Sequence, residues 1–84
     1  QPVIGKRKYK KYLEENLIRP NDESCKDVKG EVVLSFFVDK EGRPQNITVV
    51  HGLCDSADKE AIRLVKEGPK WTPGDLPTRV TVEF

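Results

Sequence analysis

No stretch of this sequence stays apolar for longer than a β-strand requires, whereas a bilayer-crossing helix needs roughly 20 such residues in a row. No glycine-rich phosphate loop occurs, which argues against nucleotide chemistry of the familiar kinds. Histidine occurs once, as His51, with no serine or aspartate set beside it that sequence can argue for, so no catalytic residue is nominated. Cysteine occurs twice and methionine not at all. His51-x-x-Cys54, even with Cys25 nearby, lacks a fourth ligand and the spacing of a zinc site, so no metal is expected. The close carboxylates, Asp39 with Glu41 and Asp55 with Asp58, are explained by turn and cap chemistry. These absences argue against an enzyme, and no cofactor is expected.

What remains is a single domain, residues 1–84, whose small core buries only about 60% of the surface exposed by the unfolded chain. The chain begins at Gln1 and soon turns basic, without the apolar centre of a signal peptide. It is expected to be a piece of a longer or processed protein. Positive charge gathers at Lys6, Arg7, Lys8, Lys10 and Lys11, leaving the rest mildly acidic although the formal net charge is only +1. Such a cluster can mark nucleic acid or anionic lipid. On an amphipathic helix it reads instead as the solvated face, and nucleic acid is not expected as a partner.

The stretch Gly30–His51 organises the rest. Val32, Leu34, Phe36 and Val38 recur at every second position and so share one face of a strand. Asp39-Lys40-Glu41-Gly42 breaks the run, with Gly42 supplying the positive φ that a short hairpin loop needs. A second strand over 45–51 sets Ile47 and Val49 on one face, Thr48 and Val50 on the other. Arg79–Phe84 alternates again, Val80, Val82 and Phe84 against Arg79, Thr81 and Glu83, which predicts a third strand.

Helical spacing appears twice. Tyr9, Tyr12, Leu13 and Leu17 form one stripe over residues 6–17, which Pro20 ends. The two tyrosines are expected to pack on the sheet with their hydroxyls at the rim. Ala57, Ala61, Ile62, Leu64 and Val65 form a second stripe ending near Glu67. Asp55 or Ser56 is expected to cap it, and Gly68 to close it in the left-handed conformation ahead of Pro69. Trp71, the only tryptophan, is placed to close one end of the core. The order α-β-β-α-β predicts an α+β domain, two helices on one face of a three-stranded antiparallel sheet in spatial order 2-1-3. A parallel third strand beside the second is the alternative. In the 2-1-3 order the last strand has an open edge.

Cys25 precedes the first strand and Cys54 follows the second, so both fall at the hairpin end opposite the turn. A bridge there would stabilise so small a core by about 3–4 kcal/mol and would need an oxidising compartment. Two half-buried thiols are the alternative.

Taken in order, Tyr12-Leu13-Glu14 with Asn16-Leu17 and Pro20, then Gly30-Glu31-Val32-Val33, Phe37-Val38-Asp39 with Gly42, and Ile47-Thr48-Val49-Val50 carry a family likeness. Asp58, Glu60-Ala61, Val65, Pro69-Lys70-Trp71 and Pro73-Gly74 complete it. The set resembles the C-terminal domain of the TonB energy transducers, in the form common in Bacteroidetes. The resemblance implies a periplasmic domain whose full-length protein is anchored in the inner membrane and meets proton-channel partners there through its N-terminal region. It further implies docking of the N-terminal motif of outer-membrane transporters as an added strand on the last strand. The edge Arg79, Val80, Thr81, Val82, Glu83 and Phe84 would carry that contact, with Arg79, Thr81 and Glu83 sorting partners. Proline at Val82 is expected to remove a ladder donor. Self-pairing into a homodimer is the other use of such an edge. A sensory or accessory domain of a receptor peptidase or envelope lipoprotein is the alternative function.

Overall fold

Strict alternation builds the centre of the molecule. The structure, a computed structural model, describes residues 2–21, 23 and 25–84; Gln1, and Asp22 and Ser24 of the polar loop expected over 21–29, lie outside the described residues. Five elements follow in order: α1 (Lys6–Asn16), β1 (Glu31–Val38), β2 (Pro44–His51), α2 (Asp55–Glu67) and β3 (Thr78–Glu83). The sheet runs β2-β1-β3, with both pairings antiparallel. The parallel alternative for the third strand is therefore excluded. β1 is central because its four alternate apolar side chains, Val32, Leu34, Phe36 and Val38, are all buried. Each contributes about 1.5–3 kcal/mol relative to exposure.

The hairpin turn is made by one carboxylate and one glycine. Asp39 Oδ1 accepts from the backbone N–H groups of Glu41 and Arg43, each at 2.9 Å, while Oδ2 accepts from Gln45 Nε2 at 3.0 Å. The backbone N–H of Arg43, then the Gln45 amide, the Glu41 N–H and the Arg43 charge hold the Asp39 carboxyl below its ordinary range. Gly42 has φ 82°, as the turn requires. It also lets another segment approach: a Cβ there would lie 2.8 Å from the Trp71 carbonyl oxygen. The Trp71 N–H in turn donates to Gly42 O at 2.9 Å. This contact seats Trp71 at one end of the core, where its indole meets Tyr9 and Phe36 edge-on, with ring centroids 4.7 and 4.9 Å apart.

Two termini of α2 depart from expectation. Neither Asp55 nor Ser56 caps it; Cys54 occupies the cap position, without a side-chain bond. Asp58 instead reaches back, its Oδ1 accepting from Leu53 N–H at 3.0 Å. That satisfies a donor just outside the helix, one position before the cap. Gly68 is not left-handed but extended, at φ −88° and ψ −171°. Its role is close approach: a Cβ would sit 2.7 Å from both Leu64 O and Tyr12 Cε2. Glycine therefore lets the α1 tyrosine settle against the end of α2.

The helices share one face of the sheet, and residues from both join the core cluster. The Tyr9 hydroxyl is buried rather than at the rim, and that of Tyr12 is part-buried. Tyr12 donates to Leu64 O at 2.6 Å, and Tyr9 is buried. A disulfide joins Cys25 to Cys54, with Cα atoms 6.1 Å apart, and ties the loop before β1 to the start of α2. Both sulfurs are thus committed to each other. No helix among the described residues is long and apolar enough to cross a membrane.

Candidate protein-docking edge

A three-stranded sheet in this order has two edges, and they differ. β2 pairs with β1 through two register shifts. One of them places Asn46 at φ 53°, in the left-handed region. Bulges of this kind twist an edge and spoil it as a template. β3 instead follows β1 in unbroken register from Thr78↔Phe36 to Glu83↔Glu31. It is the regular edge.

The phase of its ladder decides which main-chain groups face outward. Gly30 and Phe84 exchange both backbone hydrogen bonds, at 2.8 and 3.4 Å. Bonded and non-bonded pairs alternate along an antiparallel ladder, so Val82, Val80 and Thr78 also bond to β1. The N–H and C=O groups of Arg79, Thr81 and Glu83 therefore point away from the sheet. Their side chains are exposed, whereas Val80 and Val82 are buried toward the helices and Phe84 is partly buried against the core. The proline test at Val82 changes accordingly: that N–H belongs to the internal ladder, and the outward donor next to it is Thr81.

Beside this edge runs a groove of about 820 Å³. Its second wall is α1, through Lys6, Tyr9, Lys10, Leu13, Glu14 and Leu17, with Pro2 and Trp71 as further lining. Opposite residues of an added strand share a face with their partners. Guest side chains opposite Val80 and Val82 would thus enter the groove, and those opposite Arg79, Thr81 and Glu83 would lie on the helix-free face. Sequence reasoning found the edge but not the groove. The apolar stripe Tyr9, Leu13, Leu17 was its signal, read there only as core.

The groove keeps its width because α1 is fastened to α2. Arg63 holds Glu60 with two hydrogen bonds of 2.7 Å and also donates to Asn16 O, at the end of α1, at 3.2 Å. Glu60 Oε2 accepts from Ile18 N–H at 2.6 Å. Partial burial pushes the Glu60 carboxyl up, but the Arg63 hydrogen bond, the Ile18 N–H and the Arg63 charge outweigh it and leave the group below its ordinary range. At the groove floor, burial above all, then the neighbouring Tyr12 phenol, drives the Tyr9 hydroxyl well above the ordinary tyrosine range; the Trp71 indole pulls weakly the other way. Among the described residues, neither Tyr9 Oη nor Trp71 Nε1 finds a hydrogen-bond partner. Among the described residues no group of three or more potential ligands could hold a metal ion.

The family model for the C-terminal region of the Gram-negative bacterial TonB protein matches residues 19–84. The chain belongs to the TonB C-terminal domain family. No curated protein and no solved structure gives a significant match. TonB C-terminal domains are non-catalytic, lie in the periplasm of Gram-negative bacteria and interact with outer-membrane transporters. The matched span contains the whole sheet and α2 but stops short of α1. One wall of the groove therefore lies outside the family's matched region.

Proposed function

We propose that this domain docks the N-terminal segment of an outer-membrane transporter as a fourth strand along β3. In the full-length protein, an inner-membrane anchor and its proton-channel partners would supply the force that the docked strand transmits. One observation carries the reading: Arg79, Thr81 and Glu83 turn their main-chain donors and acceptors outward, beside an apolar groove, on the regular edge of the sheet. β-Augmentation needs those two things together, a row of unpaired main-chain groups for affinity and a lined pocket for alternate side chains. The guest best suited has apolar residues at every second position, facing Leu13, Leu17 and Val80.

The test is proline at Thr81. Proline is tolerated on an edge strand where its missing N–H faces solvent. Thr81→Pro should keep the circular dichroism spectrum and weaken binding of a transporter N-terminal peptide in calorimetry. Unchanged affinity in the folded variant would remove β3 as the docking strand.

A further inference from the structure

We propose that one pole of the domain seats on an anionic lipid surface, Val3 and Ile4 entering the headgroup layer and the cations beside them meeting lipid phosphates. This is independent of what occupies the β3 edge.

The cations come from three separate segments. Lys6, Arg7 and Lys8 form the exposed first turn of α1, where no acidic residue stands. Side chains on a helix lean toward its N-terminus, so all three crowd that end. Positive charge there opposes the helix dipole, whose N-terminal pole favours anions. Helix stability therefore does not explain the cluster. The chain before α1 brings in Lys70: Val3 N–H donates to Lys70 O at 3.0 Å, next to the bridge between Pro2 and Trp71. The hairpin turn adds Lys40, because its Gly42 packs so close to Lys70 that a Cβ on the glycine would lie 3.2 Å from the lysine Cβ. The acids of the turn are committed, Asp39 to its N–H groups and Glu41 to Arg43 at 3.9 Å. Among the described residues none of Lys6, Arg7, Lys8, Lys40 and Lys70 has an ion pair.

Amid this charge Val3 and Ile4 are 65% and 40% exposed. The segment is held in place, since Val3 is tied to Lys70 and Gly5 N–H donates to Pro2 O at 3.0 Å. Exposed aliphatic side chains beside unpaired cations are the pattern of interfacial binding: apolar groups enter the acyl boundary while the cations attract anionic headgroups. All but Arg7 are lysines, point charges on flexible stems that suit a diffuse surface better than a bidentate site. The aromatics of this pole, Tyr9 and Trp71, are buried, so they offer no ring for the base stacking that single-stranded nucleic acid uses.

Co-sedimentation of the 84-residue chain with vesicles tests this, using phosphatidylcholine alone or with phosphatidylglycerol added, at low and high salt. Expected is binding to the phosphatidylglycerol vesicles only, lost as salt rises. Arg7→Gln/Lys70→Gln removes a cation from two segments of the pole, neither of them lining the groove. It should weaken binding roughly tenfold or more, whereas Lys59→Gln/Lys66→Gln, the same charge taken from α2, should change it less than about twofold. Val3→Ser/Ile4→Ser should weaken it severalfold through lost apolar burial. Circular dichroism checks the fold of each variant. A parent that ignores anionic vesicles at low salt overturns the proposal, as does equal binding to neutral ones or an α2 variant as weak as the pole variant. Unchanged vesicle affinity in Val3→Ser/Ile4→Ser also overturns it, leaving a bare polyanion surface that competition by a short DNA duplex would identify.

Discussion

Tyr12 donates its phenolic hydrogen to the carbonyl oxygen of Leu64, 52 positions away, at 2.6 Å. The bond sets α1 against α2, and the extended Gly68 makes room for the ring beside it. Tyr12→Phe keeps the ring and loses the bond, so it should lower stability by about 1 kcal/mol, the ordinary worth of a protein hydrogen bond. Gly68→Ala should cost more, about 1–3 kcal/mol, because the new Cβ meets both a backbone oxygen and the ring. Chemical denaturation of the two variants checks the order. Equal stability of Gly68→Ala and parent would show that the contact relaxes without cost.

The disulfide closes a loop with a sequence separation of 29 between Cys25 and Cys54. For such a loop the chain-entropy estimate is about 3–4 kcal/mol. A domain this small has little core in reserve, so Cys25→Ala/Cys54→Ala should melt far below the parent. Reductant should shift the parent's melting temperature and leave that of the variant unmoved. Two reactive thiols in unfolded, unreduced protein would contradict the bridge.

Acid should loosen the fastening of α1. The folded-state pKa of Glu60 lies below its ordinary value of 4.5. Its contribution is therefore fully present above the unfolded pKa and is lost as pH falls through the folded one. The stability difference between parent and Glu60→Gln should accordingly be constant near neutrality and shrink below about pH 4.5. Thermal melts at stepped pH read this directly; a difference that grows on acidification would reverse the sign.

Much of the architecture was legible because its signals are local. Val32, Leu34, Phe36 and Val38 alternate without interruption, and the central, twice-paired position of β1 follows from that pattern. The stripe of α2 was equally plain. The misreadings came where tertiary contact overrides local habit. Gly68 precedes proline after a helix, the usual setting for a left-handed cap, yet the space it leaves is filled by a tyrosine from α1. Asp55 and Ser56 look like caps, but the helix already includes both and Cys54 occupies the cap position. Asn46 and the register shifts in β2 have no signal in the alternation of Ile47 and Val49.

The candidate site was half legible for a related reason. The open edge follows from strand order, and strand order follows from composition. Which residues of that edge turn outward depends on the phase of the ladder, fixed by the reciprocal Gly30–Phe84 pair. Sequence carries no mark of that phase, so the proline test fell on Val82 rather than on Thr81. The groove needed the packing of α1 beside β3, which the stripe of Tyr9, Leu13 and Leu17 implies only once the neighbour is known.

The most direct test of the docking edge is residue-resolved amide hydrogen exchange, with and without a transporter N-terminal peptide. In the unbound protein Val80, Val82 and Phe84, bonded to β1 and Gly30, should exchange slowly, and Arg79, Thr81 and Glu83 fast. The peptide should slow Arg79, Thr81 and Glu83 while leaving the other three unchanged. Saturating peptide that leaves those outward amides fast, or that protects β2 instead, would contradict docking at β3.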